Sequence, residues 1–336
     1  MSMIAVSMGD PAGIGLELAA RVWAERDPAT APFFLIGDPD ALLRAAGRAR
    51  VPHPSLRVLD DQTQVRPDVG ALTVLRVALD REEKPGSPDP ANAGAIVSAI
   101  EAGVAAVRAG AASALVTLPI AKSALRSVGL GFPGHTEFIA DLTEHDPWPY
   151  SRGPVMMLVG SSLKVALATI HSPLALVAGA ISSERLVQVG RVVHEALVRD
   201  FAVARPRIAF AGLNPHAGEG GAIGREEIDI INPAAAELRA SGVDAADAAS
   251  ADALFHEEAR TRYDAVIAMY HDQGLIPLKT LHFWDAVNCT LGLPVVRTSP
   301  DHGTGFDIAG RGLARPDSFR AALAMAHKMA QRRAAR

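Results

Sequence analysis

The chain has 336 residues, 49% of them hydrophobic and 21% charged, with a formal net charge of −4. At about 150 residues per domain that length suggests two domains, in an ordinary soluble globular protein with ample apolar material for a core. The acidic balance argues against a nucleic-acid surface, which needs a basic stripe. No uninterrupted apolar run approaches the ~18 residues of a membrane span. The N-terminus lacks the basic start and cleavage site of a signal peptide. The single cysteine, Cys289, excludes an internal disulfide and a cysteine-rich metal site. The expectation is a cytoplasmic protein with Cys289 as a small core residue.

MIAVSMG, from Met3 to Gly9, is apolar and reads as a first strand. DPAGIG and the helically spaced LELAARVWAER follow, so a Gly-rich turn opens a helix and could present N–H groups to an anion. No Gly-Lys-Ser/Thr follows, so this is not a P-loop, and a tight turn that needs glycine is the plainer reading. PFFLIG is the next strand and DPDALLRAAGRAR the next helix. LRVLD and ALTVLRV read as short strands, and EEKPGSPDP as a solvated loop. PANAGAIVSAIEAGVAAVRAG is a long helix with Pro in its first turn. SALVTLP is a buried strand, and IAKSALRSV begins a helix. Gly129, Gly131 and Gly134 match G-x-G-x-x-G literally, but they follow a helix and Pro133 occupies the turn, so no dinucleotide fingerprint is read there. His135-Thr136-Glu137 opens a helical run, which suits an anionic ligand or simple capping by Thr136.

PVMMLVG and SLKVALATI pair as strands, and the second ends in His171. SERLVQVGRVVHEALVRD is amphipathic and helical. RIAFAG is a strand leading into LNPHAGEGGAIGREE, where His216 lies in a Gly-rich loop. Asp252 follows in SADALFHEEARTRY. DAVIAMY is a buried strand ending at His271 and Asp272. Ligands of open α/β sheets bind beyond the carboxyl ends of strands, so His171, His216 and His271 share one context. Three neutral imidazoles with an open fourth position make a common catalytic metal site, while each alone reads as a satisfied loop residue. Lys279, Asn288 and Arg297 flank short strand-like runs. They offer a fork and a point charge for an anionic substrate, or a solvated rim. In DHGTGFDIAG, from Asp301 to Gly310, two glycines let the backbone approach a ligand closely. Strands alternating with helices argue for α/β layers. Composition marks no domain boundary.

Together GDPAGIGLE, PIAK, FPGHTEFIA, TIHSPLA, LNPHAGEGGAIGREE, YHDQGLIPLK and TLGLPVVRTSPDHGTGFDIAG resemble the 4-hydroxythreonine-4-phosphate dehydrogenase family of vitamin B6 biosynthesis, in order and over nearly the whole chain. DHGTGFDIAG also resembles the nucleotide loop of isopropylmalate dehydrogenases. The resemblance implies two α/β/α domains around a cleft, isocitrate/isopropylmalate dehydrogenase-like, with a first domain of about 1–130 and 305–336 and a second of about 131–304. It implies His171, His216 and His271 as ligands of one divalent ion (Zn, Mg or Co), with His271 supplied across a homodimer. It further implies His135, Thr136, Lys279, Asn288 and Arg297 as substrate contacts. Asp301, His302, Gly303, Thr304, Gly305 and Asp307 would form the NAD or NADP loop. Lys279, Asp252 or Asp272 would move the proton. The implied reaction oxidises the C3 hydroxyl of 4-phosphooxy-L-threonine to a 3-oxo acid that loses carbon dioxide, giving 3-amino-2-oxopropyl phosphate. The nearest rival is a sister dehydrogenase of 4-phospho-threonate or 4-phospho-erythronate. Rivals of other classes are a metal-dependent hydrolase or lyase without nucleotide, and a non-catalytic small-molecule binder. Ala121, in PIAK, departs from the Asn of many relatives.

Overall fold

The computed structural model describes residues 3–127, 129–132 and 134–335, without the side chains of 122–124. Met1, Ser2, Val128, Pro133 and Arg336, touched by the readings above, lie outside the described residues. Twelve strands are described: β1 (Ile4–Ser7), β2 (Phe33–Gly37), β3 (Leu56–Leu59), β4 (Leu72–Arg76), β5 (Ala114–Thr117), β6 (Val155–Val159), β7 (Lys164–Leu167), β8 (Arg207–Ala211), β9 (Asp244–Ala249), β10 (Ala265–Ala268), β11 (Val287–Leu291) and β12 (Arg297–Pro300). The helices are α1 (Gly15–Ala24), α2 (Pro39–Arg48), α3 (Ala93–Arg108), α4 (Lys122–Ser127), α5 (His135–Leu142), α6 (Leu174–Ala180), α7 (Ser183–Arg199), α8 (Asn232–Ala240), α9 (Ala251–Leu254), α10 (Glu257–Arg260), α11 (His271–His282) and α12 (Asp317–Ala334). Two compact units result: residues 1–146 with 294–331, and residues 147–293 with 332–336.

In the first unit the strands run β3-β4-β2-β1-β5-β12 and all their pairings are parallel. Strands β1, β2 and β5 are largely apolar, with Ser7 and Thr117 as polar last residues, and buried throughout, as strands covered on both faces must be. The Asp38 carboxylate accepts from Ala41 N–H at 2.8 Å and caps α2, with Pro39 in its first turn. The segment Pro90–Arg108 is apolar and long enough, by length and composition alone, to cross a membrane. Half of it is buried, and α3 packs on β1, β2 and β5, so it is a core helix of this unit. The chain enters at β1 between β2 and β5. That makes β1/β5 the switch point where a ligand crevice forms in such sheets.

Residues 131–146 and 294–304 belong to this first unit, where the sequence reading placed them in the second. The reason is pairing: β12 joins β5 with Arg297 opposite Leu115, and α5 packs on α3.

In the second unit the order is β11-β6-β7-β10-β8-β9. β6 runs antiparallel to both its neighbours, β11 and β7, while β7, β10, β8 and β9 run parallel. Leu158, Val165, Val266, Ala268, Leu275 and Leu278 are among the residues of its core. The short run that Lys279 flanks, read as strand-like, is helical instead and lies within α11, with Pro277 inside it. Burial explains the difference. Gly274, Leu275, Leu278 and His282 face inward at helical spacing, and that packing outweighs one missing N–H.

Candidate functional site

Parallel pairing brings the three histidine-bearing strand ends of the second unit side by side. β10 lies between β7 and β8, so the segments leaving them carry His171, His271 and His216 at one edge of the sheet. The His171 and His271 rings are 5.8 Å apart between centroids and line one hollow of about 260 Å³ with Ile170, Tyr270 and Asp272. His271 is the first residue of α11, and its Nδ1 lies 2.7 Å from Asp272 Oδ1. A carboxylate there accepts a hydrogen bond from Nδ1–H, a tautomer that leaves Nε2 unprotonated and able to ligate. Asp252, in α9, is close enough to His216 for their charges to interact, and the Ser250 hydroxyl holds its carboxyl below the usual range. Among the described residues, no three His, Cys, Asp or Glu side chains stand close enough to hold an ion within one chain.

His216 sits in an unusual backbone. From His216 to Gly220 the φ angles are 52°, 49°, 81°, 45° and 63°, five consecutive left-handed residues. Three of them carry a Cβ, and each such residue costs roughly 1–2 kcal/mol. A conformation this strained persists only where its surroundings impose it.

Lys279 lies on α11 and lines an open depression with His271, Asp272, Leu275 and Ile276. Asn288 is in β11 opposite Leu158, and its Oδ1 is buried without a hydrogen-bond partner among the described residues. A buried acceptor left over in this way is a place for a ligand donor.

The other substrate candidates belong to the first unit. Arg297 opens β12 and is 2% exposed. Its Nε and Nη2 donate to Thr117 Oγ1 at 3.2 and 2.6 Å. Burial, then the nearby Arg297 charge, push the His135 imidazole well below the usual histidine range, so it is neutral at physiological pH. Its Nε2 is buried without a hydrogen-bond partner among the described residues. Thr136 is also buried, and it does not cap α5, whose N-cap is Gly134. A guanidinium beside a neutral imidazole is chemistry that can receive a phosphate or carboxylate.

The β1–α1 turn is not a phosphate loop. Ala12 N–H donates to Asp10 Oδ1, Gly13 N–H to Asp10 O, and Ile14 N–H to Thr304 O. Those three donors are therefore taken up within the protein. Asp10 is buried at the end of β1, and desolvation raises its pKa despite bonds from the Ala12 and Ala121 N–H groups. Position 121 thus serves Asp10 through its main chain, which any residue except proline supplies.

The loop from Asp301 to Gly310 rests on the same turn. Besides the Ile14 bond, Gly310 N–H donates to buried Glu17 Oε2 at 2.9 Å, and Arg21 Nη2 donates to Gly312 O at 3.0 Å. Gly305 has φ +58°, and a Cβ there would stand 2.9 Å from Ile14. Asp301 N–H is taken by Ser318 Oγ, and His302 Nδ1 lies 3.0 Å from Gly303 O. Gly303 and Asp307 are exposed, and an added Cβ at Gly303 would meet open space. The loop is thus a fixed platform with one open side. Asp10, Glu17, Thr117, Asn214 and Glu227 were not singled out as site residues. Four of them stand inside GDPAGIGLE and LNPHAGEGGAIGREE, the stretches where a signal was available.

Comparison with known proteins agrees along the whole chain. The family model "Pyridoxal phosphate biosynthetic protein PdxA" matches residues 29–326. The 4-hydroxythreonine-4-phosphate dehydrogenases of Caulobacter vibrioides and Maricaulis maris are 52% and 51% identical, over 98% and 99% of both chains. A crystal structure of the Klebsiella pneumoniae 4-hydroxythreonine-4-phosphate dehydrogenase superposes with a TM-score of 0.87 at 38% identity, covering 98% of this chain and 100% of that one. Sequence, fold and the motifs that build both groups of residues lead to the same place: the chain belongs to the pyridoxal phosphate biosynthetic protein PdxA family.

Proposed function

We propose that this enzyme is an NAD(P)-dependent 4-hydroxythreonine-4-phosphate dehydrogenase. It oxidises 4-phosphooxy-L-threonine to a 3-oxo acid that decarboxylates to 3-amino-2-oxopropyl phosphate, within pyridoxal phosphate biosynthesis. Beyond family membership, the observation that supports this reading is that His171, His216 and His271 each follow the end of a buried strand, β7, β8 and β10, so that two can serve one copy's ion and the third a second copy's. Their donor set fits a divalent ion of the zinc, cobalt or magnesium kind, zinc and cobalt best. His171, His216 and His271 would hold it, with His271 reaching the site of a second copy in a homodimer. Next to His271 and Lys279, α11 exposes Ile276 and Leu281, and Phe283 just beyond its end is exposed too, apolar surface suited to such a neighbour.

When bound, the ion supplies Lewis acidity to the substrate hydroxyl and its developing carbonyl, and the nicotinamide supplies the hydride acceptor. The chain's own residues do the rest. Arg297 and His135, with Thr136, hold the phosphate or carboxylate, the guanidinium by charge and the neutral imidazole by hydrogen bond. Asn288 Oδ1 accepts from the substrate. Asp272 fixes the His271 tautomer. Lys279, beside His271 on α11, or one of Asp252 and Asp272, takes the hydroxyl proton. Asp301 to Asp307 offer the nucleotide a rigid backbone, with Gly303 open to close approach and Asp307 free to accept from ribose hydroxyls.

The test is a panel of 4-phosphooxy-L-threonine, 4-phospho-threonate and 4-phospho-erythronate, each with NAD or NADP and with zinc, cobalt or magnesium. Nucleotide reduction with release of carbon dioxide is expected from the first. Reduction only with an acid lacking the amino group would move the enzyme to the sister activity. No reduction with any member would overturn the proposal.

A further inference from the structure

We infer that Glu227, with Asn214, is the positioning pair that holds His216 in its left-handed turn and thereby sets the affinity for the divalent ion. The inference rests on the metal role proposed above for His216. Glu227 is 2% exposed and opens a π-helical turn, Glu227–Ile231. π-turns recur at functional sites, where the wider turn re-aims a side chain. Both carboxylate oxygens of Glu227 are engaged by one residue: Asn214 N–H donates to Oε1 at 2.7 Å and Asn214 Nδ2 to Oε2 at 3.0 Å. The same Nδ2 donates to Glu226 Oε2 at 2.6 Å. Asn214 in turn starts the strained segment, since its carbonyl accepts from Ala217 N–H at 3.1 Å.

Three glycines leave no slack around this pair. A Cβ at Gly218 would lie 2.7 Å from Glu227 Oε2, one at Gly212 would lie 3.0 Å from Ala217 Cα, and one at Gly224 would lie 2.2 Å from Asn214 Nδ2. The buried carboxylate therefore fits directly under the left-handed turn. Remove it, and the turn keeps its own main-chain bonds, among them Ile223 N–H to Gly218 O and Ala222 N–H to Glu219 O, but loses the carboxylate packed beneath three Cβ-bearing residues at φ values they otherwise avoid. His216, which itself touches neither Glu227 nor Asn214 among these bonds, loses its fixed direction.

The experiment compares Glu227→Ala, Glu227→Gln, Asn214→Ala and His216→Ala in the full-length protein. Zinc and cobalt affinity of the metal-free protein is read by calorimetry, and the geometry of the bound ion by the visible spectrum of the cobalt form. Supporting groups of this kind change metal affinity about 10- to 100-fold. Such a loss is expected for Glu227→Ala and Asn214→Ala, with an altered cobalt spectrum. Glu227→Gln, which keeps one acceptor but sets an NH₂ against the Asn214 amide, should fall between. If His216→Ala binds cobalt like the parent protein, the metal role of His216 fails. If His216→Ala loses the ion while the Glu227 and Asn214 variants keep parental affinity and spectrum, the positioning inference fails alone. Should Glu227→Ala not fold, Glu227→Gln and Asn214→Ala decide by the same criteria.

Discussion

Replacing His135 by Gln should change how stability depends on pH, and the sign follows from the structure. In the folded protein, burial and Arg297 hold the imidazole well below its ordinary value of 6.5. Once unfolded, the ring titrates normally. Below pH 6.5 the unfolded chain therefore binds a proton that the folded chain refuses, and stability falls as pH falls. At pH 5 an unfolded histidine is about 97% protonated, and RT ln(1 + 10^1.5) is about 2 kcal/mol. That is the most His135 can withdraw, reached when the folded ring stays neutral at pH 5. Gln keeps a polar group and cannot take the proton, so the variant should gain on the parent by up to about 2 kcal/mol between pH 7.5 and 5. For a domain of this size that corresponds to roughly 4–8 °C in Tm. Parallel melting series at half-unit intervals measure the difference, and the remaining histidines cancel. Saturating inorganic phosphate should narrow the gap, because an anion beside the ring offsets Arg297 and lets the folded imidazole protonate. Parallel curves across the range would refute the buried, neutral imidazole and the anion site built on it.

Three further outcomes test other parts of the site. Arg297→Lys removes a fork for a point charge, and a charge-assisted hydrogen bond contributes about 1.5–3 kcal/mol; KM for the phosphorylated substrate should rise about 10- to 100-fold with kcat little changed, and an unchanged KM would take Arg297 out of the substrate site. Glu17→Ala strips the acceptor from Gly310 N–H and should cost about 1–3 kcal/mol, with weaker NAD binding by calorimetry; parental binding would separate the 301–310 loop from the nucleotide. Exhaustive dialysis against a chelator should abolish nucleotide reduction, restored by zinc, cobalt or magnesium; full turnover in protein shown free of metal by elemental analysis would count against the histidine row.

Much of the fold was readable because buried parallel strands are apolar runs: MIAVSMG, PFFLIG, SALVTLP and DAVIAMY each contain a strand. The three histidines could be flagged because each follows such a run. Their adjacency could not, since it depends on β10 pairing with both β7 and β8, a long-range property absent from any local window. The strand-like reading of the run beside Lys279 fails for a physical reason: Pro and apolar residues suggest extended chain, while packing of Leu275 and Leu278 decides for helix. The left-handed turn was half visible. Gly218 and Gly220 announce positive φ, but nothing local announces it at Ala217 and Glu219, which lie beside the buried Asn214–Glu227 pair. The Gly-rich turn after β1 invited an anion, and what fills it is the carbonyl of Thr304, far along the chain.

The first unit is written in two pieces of sequence, with residues 147–293 between them. Arg297 meets Thr117 across 180 positions. On the ribosome, therefore, β5 waits with an unpaired edge while the whole second unit is made, and an open edge is a template for wrong partners. Closing so long a segment costs little more than closing a short one, about 0.6 kcal/mol per doubling; the burden is delay rather than stability. When β12 docks it brings the guanidinium and the 301–310 loop together. A nascent chain thus acquires the strand that pairs with β5 and the Arg297 guanidinium in one late event, and a fragment ending before β12 has neither.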